Sequence, residues 1–359
     1  MERSLTVTVD GTSFSARPGE LLLDAALSNG IDLPYDCRSG HCGTCCVRVI
    51  AGHVQGGQGA EPDVVHACQC RIDGDVTVAR DRPAAVKSVD GEVASLLALS
   101  ADVVEVNVRT DRAFPYHAGQ YAQLSFHGYP TRPFSMSHPL RGRPGSGTVS
   151  FHIRCMTGGR VTSMLGKRIR AGHRVTLTGP FGNAYFRPNL VARLVLVATS
   201  TGFAPIYSVA VAALRENPNR PIVVIAGGRD IQSLYMGPAL VQLGRFPNAA
   251  VLPVCSKPQN LTSSVMLGRP TDILPRLHAS DIVYVCGAPP MVGAVKAIAA
   301  SAGVVCYADP FEAPLADKAE RKSSAPPSLW RASIRKSSKG QPAGLLPPPP
   351  APSRFRPLG

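Results

Sequence analysis

Residues 37–45 read Cys37-Arg38-Ser39-Gly40-His41-Cys42-Gly43-Thr44-Cys45, and after an interval of 22 residues comes Ala67-Cys68-Gln69-Cys70. Three cysteines spaced C-x4-C-x2-C with a distant fourth supply the four thiolates that a 2Fe-2S cluster requires. A structural zinc site normally gathers its ligands as two separated close pairs, so the spacing favours the cluster. Gly40 and Gly43 fall between ligands, where a loop must bend tightly and let backbone N–H groups approach the sulfurs. The expected metal ligands are therefore Cys37, Cys42, Cys45 and Cys68. Cys46 directly follows Cys45 and Cys70 stands two residues after Cys68, and either could in principle replace its neighbour, but alternation along a strand turns Cys46 to the face opposite Cys45.

Outward from the cage, alternating strand patterns over 5–9 and 13–16, a helix over 21–28 stopped by Asn29-Gly30, and a strand over 47–50 describe a small α+β unit. With its cysteine spacing, residues 1–82 resemble a plant-type ferredoxin domain, of ferredoxin-like (β-grasp) fold. In that family the fourth ligand stands immediately before a Gln, as Cys68 does before Gln69. The interval between Cys45 and Cys68 is shorter than the family usually shows, which implies a trimmed loop around 56–63.

Beyond a linker near 81–87, short strands are expected over 102–109, 121–126, 148–154 and 174–177, the pattern of a small antiparallel barrel spanning 90–187. Within it stand Gly119-Gln120-Tyr121, Arg132-Pro133-Phe134-Ser135, Gly158-Gly159-Arg160-Val161-Thr162 and Gly179-Pro180-Phe181-Gly182. Singly these read as ordinary turns. Their order and spacing resemble the flavin domain of the ferredoxin-NADP reductase superfamily. That likeness implies an FAD, with Arg132 on the pyrophosphate, Pro133 and Phe134 beside the isoalloxazine and Ser135 at its reacting edge. Gly158, Gly159 and Thr162 are expected to open a helix over 161–168 whose first N–H groups meet a phosphate.

From 190 to 312, strands expected over 194–197, 221–226, 250–254 and 281–285 alternate with helices, one of them over 206–214, giving an α/β doubly wound sheet with its ligand at the carboxyl ends of the strands. Thr201, Gly202 and Pro205 lie at such an end. The region resembles the superfamily's pyridine-nucleotide domain, whose loop carries Gly where Ser200 stands; if a positive backbone angle is needed there, Ser costs binding energy. Cys286-Gly287-Ala288-Pro289-Pro290-Met291 matches the family's Cys-Gly-x-Pro-x-Met motif, implying that Cys286 approaches the hydride-bearing carbon and that Gly287 lines the site. The likeness also implies that Phe311, in the terminal Tyr307-Ala308-Asp309-Pro310-Phe311, stacks on the flavin. Arg229 and Asp230 follow the second strand, where an acid can hold a ribose hydroxyl and a base a 2′-phosphate. Asp230 favours NADH, and NADPH remains open.

Composition agrees with several folded units: 359 residues, 44% hydrophobic and 17% charged. The 33 prolines gather partly in a basic, Pro-rich segment, 313–359, expected to be disordered. That tail carries nine Lys/Arg against Asp317 and Glu320, and so half of the net charge of +14. The folded part is then only mildly basic, and no aromatic-interleaved basic stripe argues for nucleic acid. No signal sequence precedes the first strand, and the apolar stretch 194–214 is broken by Thr199, Ser200, Thr201, Gly202 and Pro205, so neither export nor a membrane is expected and a cytoplasmic protein is.

A nicotinamide gives electrons in pairs as hydride and an iron-sulfur cluster takes one at a time, so a flavin must stand between them. The order of modules over residues 1–312 resembles the reductase components of aromatic-ring-hydroxylating oxygenases, naphthalene dioxygenase type. This implies an oxidoreductase passing electrons from NADH through FAD and the 2Fe-2S cluster to a partner ferredoxin or an oxygenase component. The same modules serve reductases of deoxysugar pathways and diiron monooxygenases, and a redox-sensing cluster protein with a nucleotide site impaired at Ser200 is the alternative from another class.

Overall fold

The computed structural model describes residues 4–80, 86–140, 145, 147–189, 191–258, 262 and 264–311; the tail 313–359 and most of the linker lie outside the described residues. The first unit runs β1 (Leu5–Val9), β2 (Thr12–Ala16), α1 (Leu22–Ser28), β3 (Cys46–Ala51), β4 (Val54–Gln55), β5 (Val64–His66), β6 (Arg71–Ile72) and β7 (Val76–Arg80). Its main sheet has the order β2-β1-β7-β3-β5, with β1 and β7 parallel and the other pairs antiparallel. Asp10 and Gly11, at φ 48° and 86°, make the two-residue turn from β1 to β2. The period-2 pattern of β1 buries Leu5, Val7 and Val9 against Leu22 and Leu23 of α1. The helix stops as the sequence implies, where Gly30 takes φ 74°.

The second unit is a closed six-stranded barrel of β8 (Lys87–Ala98), β9 (Val103–Thr110), β10 (Tyr121–Phe126), β11 (Arg132–Ser137), β12 (Thr148–Arg154) and β13 (Arg174–Phe181), ordered β10-β11-β12-β9-β8-β13. Val104, Val106, Leu124, Phe126, Met136, Phe151 and Leu177 fill its interior. Two expectations need correction. The longest strand, β8, has no counterpart in the sequence reading, which begins the strands of the barrel at 102. Gly91 is there for closure: a Cβ on it would lie 2.4 Å from the Arg109 carbonyl oxygen of β9. The helix expected over 161–168 is instead a single 3-10 turn, Thr162–Met164. Gly166 adopts φ 75° and its N–H bonds the Ile169 carbonyl, which folds the chain back before a second turn can form.

The third unit comprises β14 (Leu194–Thr199), α2 (Phe203–Glu216), β15 (Ile222–Gly228), α3 (Gly237–Leu243), β16 (Ala249–Cys255), β17 (Met266–Leu267), β18 (Ile282–Gly287), α4 (Pro289–Ser301) and β19 (Val305–Pro310). The six strands are parallel, in the order β17-β16-β15-β14-β18-β19. In β14, Leu194, Leu196 and Ala198 join the core under α2, while Val195 and Val197 join the core that includes Val292 and Val295 of α4. The winding reverses between β14 and β18, and the crevice at their carboxyl ends is the topological switch point where such sheets bind ligands. Among the described residues no helix is long and apolar enough to cross a membrane.

Candidate redox site

The cysteine loop is built on backbone that favours glycine: Gly40 and Gly43 stand at φ 74° and 66°, and Arg38 at φ 52°. Three amides aim at sulfur, those of Ser39 and Cys42 at Cys37 Sγ and that of Thr44 at Cys42 Sγ, each at 3.4 Å. The four expected ligands stand as two hydrogen-bonded pairs, Cys37 with Cys42 and Cys45 with Cys68, and among the described residues no three metal-ligating side chains share one ion site. In each pair the neighbouring thiol's hydrogen bond stabilises one thiolate, lowering Cys37 to about 3 and Cys68 to about 6. Two pairs of sulfurs, each with thiolate character and with N–H donors around them, are the four-thiolate donor set that would hold a 2Fe-2S cluster. Gln69 fastens the cage by donating from Nε2 to the carbonyls of Arg38 and Cys68, both at 2.9 Å. The spare cysteines lie apart from the pairs. Cys46 Sγ is 3.6 Å from His66 Nδ1, and Cys70 is fully buried in the hydrophobic core, its thiol pushed up to about 12 by burial.

In the barrel, Arg132, Pro133, Phe134 and Ser135 follow one another on β11, with Ser135 directly opposite Tyr121 of β10. Arg132 and Phe134 are half-buried, Pro133 is exposed and Ser135 is buried. Gly158 has φ 76°, and a Cβ on Gly159 would press to 2.5 Å from Thr162 Oγ1. That hydroxyl accepts the Met156 amide at 3.1 Å. With only a short 3-10 turn following, the expected helix N-terminus for a phosphate is absent, and Gly158, Gly159 and Thr162 form a tight turn instead.

At the switch point, the loop after β14 lies against the end of β18. A Cβ on Gly202 would fall 2.3 Å from the Cys286 carbonyl oxygen, and one on Gly287 would fall 2.4 Å from Thr199 Oγ1. Thr199 Oγ1 also accepts the Ala288 amide at 3.1 Å. Thr201 and buried Pro205 flank Gly202 at the start of α2. Ser200 does adopt φ 52°, which for a residue with a Cβ costs about 1–2 kcal/mol. Cys286 is buried, and burial together with the nearby Asp309 raises its thiol. Phe311 is half-buried, and its amide donates to the Gly287 carbonyl at 2.7 Å, which brings it to the same strand ends. Asp230 caps the turn after β15 by accepting the Ser233 amide at 3.0 Å, while Arg229 is exposed beside it.

Several contributors escaped the sequence reading because they act across units. Asp36, next to Cys37, accepts from Tyr121 Oη and, at 3.0 Å, from Gln123 Nε2 of the barrel. Thr44 Oγ1 accepts the Gly182 amide at 3.1 Å, and the Asn183 amide donates to the Cys42 carbonyl at 3.2 Å. Gly43 is pressed so close to the barrel that a Cβ would lie 2.6 Å from Asn183 Cβ. Glu61 accepts from Tyr307 Oη at 2.6 Å and from Arg48 at 2.7 Å. Arg187 lies between the rings of Tyr185 and Tyr307, 4.2 and 3.8 Å from their centroids. Asp309, paired with Cys286 across β18 and β19, is held up at about 7 by burial and by the charges of Cys37 and Asp36. The cysteine loop, β10 and the end of β13 in the barrel, and β19 of the third unit therefore meet at one junction.

Three family profiles match in the same order: a 2Fe-2S iron-sulfur cluster binding domain over residues 6–73, an oxidoreductase FAD-binding domain over 90–186 and an oxidoreductase NAD-binding domain over 196–297. Over 321 residues the chain is 31% identical to the ferredoxin–NAD(P)+ reductase component of the naphthalene 1,2-dioxygenase/salicylate 5-hydroxylase systems of Ralstonia sp., covering 83% of this chain and 95% of that one. The reductase component of the naphthalene 1,2-dioxygenase system of Pseudomonas putida is 32% identical over 323 residues, 83% of this chain and 94% of its own. The chain belongs to this family of oxygenase reductase components. Its architecture is also that of the cytochrome P450 reductase GcoB from Amycolatopsis, at 26% identity and a TM-score of 0.63 over 86% of this chain and 98% of that one. Family and domains make it an oxidoreductase of the ferredoxin–NAD(P) reductase type, with a 2Fe-2S cluster, FAD and a nicotinamide as its cofactors.

Proposed function

We propose that the chain is the reductase component of an oxygenase system acting on aromatic compounds, taking hydride from NADH and delivering single electrons to a ferredoxin or directly to the oxygenase component. The relatives' names support the acceptor class, and the meeting of the three units at one junction is the observation that carries the reading.

Bound FAD supplies the change from paired to single electrons. Cys37, Cys42, Cys45 and Cys68 would hold the cluster, with Cys37 the most exposed of the four and so the side offered to an acceptor. Arg132 would neutralise the FAD pyrophosphate, Pro133 and Phe134 would shape the isoalloxazine seat, and buried Ser135 would offer a hydroxyl at its edge. Gly158, Gly159 and Thr162 would bring backbone close to phosphate through their turn. Thr201, Gly202, Pro205 and Gly287 would line the nicotinamide crevice, with Cys286 against the ring and Phe311 covering the flavin until the nicotinamide displaces it. Asp230 would hold a ribose hydroxyl with the carboxylate oxygen that its cap leaves over, and exposed Arg229 leaves NADPH usable. The proposed division is 1–82 for the cluster domain, 90–187 for the flavin domain and 190–312 for the nucleotide domain, with 313–359 as a basic tail. Such a protein would work in the cytoplasm.

The test is an anaerobic visible spectrum before and after NADH. Bleaching of flavin and cluster together, followed by rapid reduction of cytochrome c, is the expected outcome; a coloured protein that NADH leaves unchanged would overturn the reading.

A further inference from the structure

Tyr121 is 6% exposed and sits on β10 directly opposite Ser135, on the strand expected to carry the flavin. Its hydroxyl donates to Asp36, one residue before Cys37, and also meets the hydroxyl of Thr44, one residue before Cys45. One side chain of the barrel thus reaches two of the ligand-bearing segments of the cysteine loop. Its ring is fixed by Phe181 at 5.6 Å, and Gly182 leaves it room, since a Cβ there would stand 3.1 Å from Tyr121 Cδ1. Burial, with the charges of Cys42 and Asp36, raises the phenol so that it stays protonated and remains the donor. Gln123 completes the grip on the other Asp36 oxygen at 3.0 Å.

We propose that Tyr121 is a positioning residue for electron transfer, holding the cysteine loop at its working distance from the flavin strand through Asp36 and Thr44. The proposal rests on the flavin-to-cluster order given above. Each hydride brings two electrons and leaves NAD+. With both groups bound, these would cross to the cluster one at a time, each leaving for the acceptor protein before the next arrives, and the hydride's proton would go to solvent. A bonded contact matters here because transfer falls exponentially with distance, so a loop that drifts from the flavin strand slows it.

The test compares wild type with Tyr121→Phe, Asp36→Ala, Asp36→Asn and the Tyr121→Phe/Asp36→Ala double variant, as full-length holoproteins. Stopped flow follows flavin reduction by NADH and then cluster reduction at its own wavelength. Tyr121→Phe and Asp36→Ala should leave the first phase unchanged and slow the second several-fold. Asp36→Asn keeps an oxygen to accept from Tyr121 and should restore the second phase to near wild type. The double variant should be no slower than either single, as for two members of one contact. Independently of turnover, amide exchange over residues 39–44 of the oxidised protein should quicken in Tyr121→Phe while the visible circular dichroism of the cluster stays unchanged. A wild-type second phase in both Tyr121→Phe and Asp36→Ala overturns the proposal, as does equal slowing of both phases. Light-driven reduction of the flavin starts the same transfer without NADH, so a failure of the nucleotide reading would show separately.

Discussion

Gly202 and Cys286 touch through their backbones: a Cβ added to Gly202 would lie 2.3 Å from the Cys286 carbonyl oxygen and 2.7 Å from Gly287 Cα. The loop after β14 and the end of β18 are thereby closed on one another at the switch point, and only the missing side chain permits it. Gly202→Ala should force the two apart. The expected result is a loss of about 1–3 kcal/mol of stability, as overpacking of a tight contact brings. NADH-driven flavin reduction should fall at least tenfold while light-driven reduction of flavin and cluster proceeds as in wild type. Comparing the two routes in stopped flow checks this.

Ser200 is the opposite case, a residue with a Cβ where the backbone stands at φ 52°. Ser200→Gly should relieve about 1 kcal/mol of strain. It should raise the urea midpoint of the nucleotide unit and lower KM for NADH a few-fold by letting a pyrophosphate approach the loop. A KM that rises instead would mean that the Ser200 hydroxyl contributes a contact to the nucleotide.

The spare cysteine near each ligand gives a clean separation of roles. Cys68→Ser should abolish the low-temperature paramagnetic signal of the reduced cluster, because Cys68 pairs with Cys45. Cys70→Ser should keep that signal and lower stability by about 1–3 kcal/mol, since a hydroxyl would be buried among Leu22, Leu23 and Ile72 with no assured partner. Loss of the signal in Cys70→Ser alone would exchange the two assignments.

Much of this was legible in the sequence because the signals are local. The C-x4-C-x2-C run and the period-2 strands each lie within about a dozen residues and the β14–loop–α2 sequence within 23, and each occurs where expected. β8 was missed because the glycine in its middle, Gly91, is there for contact with Arg109 across the barrel, which no local pattern shows. The turn at Thr162 was misread because Gly166 cuts short a segment whose residues otherwise suit a helix. What could not be read were the pairs far apart in sequence. Asp36 with Tyr121 and Glu61 with Tyr307 are ordinary polar residues on surface-like stretches until the units dock. Asp309 stood in plain view two residues before Phe311, yet it is its burial, with the charges of Cys37 and Asp36 added, that makes it unusual.

The same docking buries a histidine whose titration should limit the protein in acid. His152 of β12 has a side chain with no exposure, its Nε2 donating to the His138 carbonyl at 3.0 Å and its Nδ1 accepting from Tyr235 Oη at 3.2 Å, across the contact between barrel and nucleotide unit. Burial lowers its pKa to about 4 from an ordinary value near 6.5. Glu105 Oε2 lies 3.9 Å from its Nε2. Because the folded value is the lower one, the unfolded chain binds the proton first. Stability from this group is complete above about pH 6.5, falls as the pH drops toward 4, and is then down by about 3 kcal/mol. His152→Gln keeps a donor for the His138 carbonyl and an acceptor for Tyr235 but cannot titrate. Urea midpoints between pH 7 and 4.5 should therefore converge, the variant losing less stability than wild type by about one proton's worth. If the two fall in parallel, His152 is protonated in the folded protein, and the contact between barrel and nucleotide unit must open to admit the charge.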